Sequence, residues 1–95
     1  MSFFIKHIVL RHIRSLSVAN ILQHAHSYGF SIQPSEAKEI HHLLQTTDFD
    51  PLSKSDHVYL FQQLEEVTNP STARKAEKLL YELMDQHGFT KHLYA

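Results

Sequence analysis

Residues 17–44 read SVANILQHAHSYGFSIQPSEAKEIHHLL, and the punctuation of this stretch marks the chain as helical. After Ser17, the residues Val18, Ile21, Leu22 and Ala25 recur at the three-to-four-residue spacing of a helix buried on one side. A serine at that point can accept the unpaired amides of the first turn. Tyr28-Gly29 ends the helix, because glycine takes the left-handed conformation beyond a last turn without steric cost. Phe30 and Ile32 can then fold back over that turn. Gln33-Pro34-Ser35-Glu36 opens a second helix, with proline at its first position and glutamate at its third. Its buried side carries Ala37, Ile40 and Leu44.

The same signals recur on both sides of this unit. Upstream, a helix over Phe3 to Arg14 gathers Ile5, Ile8, Val9, His12, Ile13 and the following Leu16 into one arc. His7, Arg11 and Arg14 fall opposite, with Phe3 and Leu10 beside that basic side. Downstream, Asp48-Phe49-Asp50-Pro51 reads as a turn, since proline holds its predecessor extended. Ser53-Lys54-Ser55-Asp56 resembles a capping box with aspartate in place of the longer glutamate. It starts a fourth helix whose stripe is Val58, Phe61, Leu64 and Val67, widened by Leu60. Asn69-Pro70 caps a last helix carrying Ala73, Ala76, Leu80, Leu83 and Met84, and His87-Gly88 ends it. No segment sustains a period of two. These readings predict an all-α fold: a compact array or bundle of about five short helices in a single domain over residues 1–88, with 89–95 as a C-terminal tail.

Composition narrows the chemistry. The 95 residues are 42% apolar and 20% charged, as expected of an ordinary globular domain. Two glycines and three prolines are too few for a domain of many strands and turns. Without cysteine there can be no disulfide framework, thiolate zinc site, Fe–S cluster or cysteine nucleophile. No apolar run approaches the ~18 residues of a membrane span, so none is expected. The opening MSFFIKHIVLRHIR is basic and acid-free, as an organellar transit peptide would be. However, Lys6, His7, Arg11 and His12 interrupt it too often for a secretory apolar core, and it reads as the first helix.

Nine histidines suggest metal or a pH response. A helical metal pair needs ligands three or four residues apart. His24 and His26 are two apart, His41 and His42 are adjacent, and the pairs His7–His12 and His87–His92 are five apart. No metal site or other cofactor is expected from these spacings. A pH response is better founded: His12 lies in the apolar arc, where burial favours the neutral imidazole.

Catalysis finds little support. The chain has no nucleophile elbow, P-loop or HExxH motif, and Asp48 and Asp50 are explained by turn formation. Gly29 and Gly88 each stand at a helix end, leaving no glycine-rich phosphate loop. No catalytic residues are assigned, and no enzyme is expected. The candidate surface is the first helix, with Phe3, His7, Leu10, Arg11 and Arg14 as interaction residues. Residues 1–35 carry Lys6, Arg11 and Arg14 and no acid, whereas all ten acids lie in residues 36–95. Phe3 and Leu10 on the first helix, and Phe89, Leu93 and Tyr94 in the tail, are apolar groups outside the five stripes. They fit self-association, docking of an unidentified protein partner or an adaptor role, or else they fold onto the domain's own flanks. The alternative is weak nucleic-acid binding through the basic side of the first helix, since helix, connector and helix is also the outline of SAP-type modules. The small positive charge and the lack of interleaved aromatic platforms argue against it.

Five stretches carry a family resemblance: Ser17-Val18-Ala19-Asn20-Ile21-Leu22, Tyr28-Gly29-Phe30-Ser31-Ile32, Glu36-Ala37-Lys38-Glu39-Ile40, the Phe49 to Asp56 turn and cap, and Val67-Thr68-Asn69-Pro70-Ser71-Thr72-Ala73-Arg74-Lys75-Ala76. Together they resemble the YqfT-like family of small Bacillales proteins, a domain of unknown function, over roughly residues 3–87. The histidine load and the extension after His87 depart from that pattern. The resemblance implies an all-helical cytoplasmic bacterial protein and carries over no catalytic residues.

Overall fold

The computed structural model describes residues 3–94, apart from the side chain of Phe3. Its helices are α1 (Phe3–Arg14), α2 (Val18–Ser27), α3 (Pro34–Thr46), α4 (Lys54–Val67) and α5 (Pro70–Gln86), followed by a 3₁₀ turn at Thr90–His92. The fold is all-α. Among the described residues, extended pairing is confined to a parallel bridge between Ser53 and Tyr94.

The helix ends follow their local chemistry. Ser17 and Asn20 exchange side-chain and backbone hydrogen bonds of 3.0 Å each, a capping box with asparagine in the glutamate position. Glu36 accepts the Gln33 amide at 2.8 Å and also takes a short hydrogen bond from the Thr72 hydroxyl. One carboxylate thereby starts α3 and ties it to the first turn of α5. These two bonds, Thr72 first, hold the Glu36 carboxyl below its ordinary pKa. At α4 the expected box is only half formed. Ser53 Oγ accepts the Asp56 amide at 3.2 Å, but the Asp56 carboxylate accepts the Asp50 amide at 2.7 Å, pinning the preceding turn.

Both glycines end helices by one device. Phe30 N donates to Ala25 O and Gly29 N to His26 O; Phe89 N donates to Met84 O and Gly88 N to Asp85 O. These are paired Schellman bonds, with Gly29 at φ 81° and Gly88 at φ 75°. In each case the phenylalanine after glycine returns to the core.

Three apolar clusters make that core. Val9, Ile13, Phe49, Leu52, Leu60, Leu80 and Met84 form the first, and Ile21, Ala37, Ile40, Leu64, Ala73 and Ala76 the second. Ala25, Leu79 and Leu83 form the third. Residues of α5 enter all three, which makes it the central helix. An apolar cavity of about 50 Å³ lies where the clusters meet, with His12 and His87 among its lining residues.

One expectation needs correction. Val58 and Val67 are more than half exposed, and α4 instead buries His57, Leu60 and Leu64 with Phe61 partly covered. The C-terminal tail packs on the domain as far as Tyr94. Phe89 and Leu93 pack on the first cluster. Tyr94 N donates to Leu52 O at 2.9 Å, and Lys54 N donates to Tyr94 O at 2.8 Å. The Tyr94 hydroxyl donates to the Asp50 carboxylate, which raises the phenol pKa.

Candidate functional site

The candidate surface on α1 is set by how that helix is seated. Val9 and Ile13 are buried, and Ile5, Leu10 and Leu16 pack partly against the core. Arg14 Nε donates to Leu44 O at 3.2 Å and its terminal nitrogen to Thr47 O at 3.0 Å. Gln45 Nε2 donates back to Arg14 O at 2.6 Å. These bonds satisfy carbonyls at the end of α3, where a cation is also favoured by the helix dipole. With these bonds in place, the Leu10 and Arg14 side of α1 faces α3. The opposite edge of the apolar arc turns outward.

This orientation changes the candidate set. Leu10 is half-buried against the first cluster and is no exposed docking group. Arg14 is half-buried and engaged with α3. The Phe3 side chain lies outside the described residues. His7 and Arg11 do reach solvent. Sequence reasoning misses two residues: Phe4 is 74% exposed and Ile8 is 47% exposed. With Arg11 they follow i, i+4, i+7 spacing, so they share one outward edge of α1. Ile8 reads as core on the helical wheel because it lies at the border of the apolar arc. Only the orientation of the helix decides such a border position. The spacing of Phe4 to Ile8 and Arg11 is the signal available in the chain.

The histidines separate into distinct environments. His12 and His87 meet edge to face with ring centroids 4.5 Å apart, and His87 stacks on Phe89 at 5.9 Å. Burial, then the neighbouring His87 and His24, hold the His12 imidazole below its ordinary pKa. His57 is fully buried. Its Nε2 lies 2.6 Å from Pro51 O and its Nδ1 lies 2.8 Å from the Tyr81 hydroxyl. A carbonyl can only accept, so Nε2 carries the proton and neutral Nδ1 accepts from tyrosine. Burial lowers the His57 pKa, opposed by Pro51 O and by the charges of Asp56, Asp50 and Glu77. His57 therefore links α4 to the Pro51 turn and to α5 as a structural group. Among the described residues, no three acids or histidines are grouped so as to hold a metal ion. No helix there is long and apolar enough to cross a membrane.

A family described as "Protein of unknown function (DUF2624)" matches residues 1–84. The chain belongs to this family. It is also similar to the uncharacterized protein YqfT of Bacillus subtilis (strain 168), with 26% identity over 72 residues, covering 76% of this chain and 86% of the relative. No solved structure matches it. The matched region runs from α1 into α5, so α1, Gly29, Glu36 and the Asp50–Asp56 turn belong to the family unit. The segment beyond Met84 lies outside the match.

Proposed function

We propose that this protein is a non-catalytic interaction module that docks a protein partner on the outward edge of α1. The observation that carries the reading is the exposed pair Phe4 and Ile8 on successive turns, bordered by Arg11 and His7. Contiguous apolar surface of this kind is a feature of contact sites. The packing of α1 does not need them, because Val9 and Ile13 already fill its buried side. Their basic border favours an acidic partner surface. Its proposed compartment is the cytoplasm, where a chain without cysteine needs no oxidising environment to fold.

The test is recovery of partners by the tagged full chain from its native cells, with and without nuclease. The comparison variant is Phe4→Ser with Ile8→Ser. The expected result is a nuclease-resistant partner that the variant loses while its thermal midpoint stays unchanged. Equal recovery by both proteins removes this edge as the docking surface. Recovery that collapses with nuclease and with Arg11→Glu would make the partner a nucleic acid.

A further inference from the structure

The outward edge of α1 has a counterpart on the same molecule. Along α4, Val58 and Tyr59 are 54% and 53% exposed. Gln62, Glu65 and Glu66 follow on the exposed side and line an open groove with Thr68, Asn69 and Pro70. Phe4, Ile8 and Arg11 have the spacing of Val58, Gln62 and Glu65, four residues and then three. Tyr59 and Glu66 run alongside. Laid parallel, the two edges place Phe4 against Val58 and Tyr59, Ile8 against Gln62, and Arg11 against the Glu65–Glu66 pair. Within one chain both edges face solvent, so they can pair only between molecules.

We infer that the occupant of this surface is a second copy of the chain, with the Phe4–Ile8–Arg11 edge of α1 seated on the Val58–Tyr59–Glu65 edge of α4. The inference rests on the docking role proposed for α1 and adds the occupant and the register. The contact is heterologous, since each copy offers two different edges. The matching charges set the register and disfavour an antiparallel arrangement, which would bring Arg11 onto Val58.

Sedimentation velocity of the full chain from ~10 µM to ~1 mM, the range of weak self-association, tests this. Wild type is expected to associate as concentration rises. Arg11→Glu alone and Glu65→Arg alone should each weaken association roughly tenfold, because each places like charges across the contact. An equimolar mixture of the two variants should restore it. In a mixed pair the two reversed side chains face each other with opposite charge, and so do the unchanged Arg11 and the unchanged Glu65. Both positions are exposed, and circular dichroism checks that the variants keep their helix content. A wild type that stays monomeric overturns self-pairing, while the partner-recovery test with Phe4→Ser and Ile8→Ser still decides the docking role. Association that ignores both charge reversals overturns the α1–α4 register.

Discussion

The Arg14 guanidinium stands 3.0 Å from the carbonyl oxygen of Thr47, the residue that closes α3. A side chain that reads in the sequence as part of a free basic side is therefore a tether between α1 and α3. Arg14→Ala is expected to destabilise the fold by about 1–2 kcal/mol, since charge-assisted hydrogen bonds in a half-buried site are lost. Arg14→Lys should restore only part of this, because an ammonium cannot reproduce the planar fork. Urea denaturation measures both. An Arg14→Ala midpoint equal to wild type would sever the tether from stability.

His57 joins three pieces of chain through two ring nitrogens. His57→Leu leaves the Pro51 carbonyl and the Tyr81 hydroxyl without this partner, and should lower stability by about 2–3 kcal/mol. Tyr81→Phe removes one bond and should cost about 1 kcal/mol. The same denaturation series ranks them. Equal losses for the two variants would contradict the importance of the Pro51 bond.

Acid should weaken the fold through His12 and His57. Both have pKa values lowered by folding, so the unfolded chain binds protons more readily in the intervening range. Stability is thus complete above about pH 6.5 and falls as pH drops toward the folded-state values. His12 is faced by His87 from the end of α5 and by His24 from α2, whose positive charges would oppose its protonation. His57 is faced by Asp50, Asp56 and Glu77, which partly offset its burial. The urea midpoint at about pH 5.5 should lie below that at about pH 7.5, and His57→Leu should flatten the difference. A midpoint independent of pH across that interval would refute the linkage.

Gly29 and Gly88 test the helix ends. An added Cβ meets no atom within 4 Å at either position, so the strain of Gly→Ala is confined to the positive φ. Each substitution is expected to cost about 1 kcal/mol, and asparagine less. Thermal midpoints of the four variants check this; an alanine more stable than glycine would contradict the left-handed geometry.

The docked tail makes a separate prediction. A chain ending at His92 loses the packing of Leu93 and the two backbone bonds that Tyr94 makes with Leu52 and Lys54. The expected loss is about 2 kcal/mol, with faster amide exchange at Lys54. Unchanged exchange at Lys54 would show that the tail does not close that end of the core.

The helix ends are legible in the chain because they depend on residues within one turn of each other. Ser17, Pro34, Ser53, Asn69, Gly29 and Gly88 each act where local chemistry places them. Even there, Asp56 breaks the expected pattern, because its short side chain turns to the Asp50 amide. Helix periodicity likewise marks α5 as a core helix through Ala73, Ala76, Leu80, Leu83 and Met84.

Five helices, their caps and the all-α class follow from the chain alone, since spacing and short-range hydrogen bonds specify them. Which edge of each stripe is buried was settled by tertiary contacts. A helix with a broad apolar arc can roll without breaking its period, and distant partners choose the roll. With Arg14 bonded to α3, Ile8 faces outward, and with His57 held by Pro51 and Tyr81, Val58 is exposed. The candidate surface on α1 and the α4 edge inferred to meet it lie at those borders, so both depend on contacts between separate helices that no local pattern records.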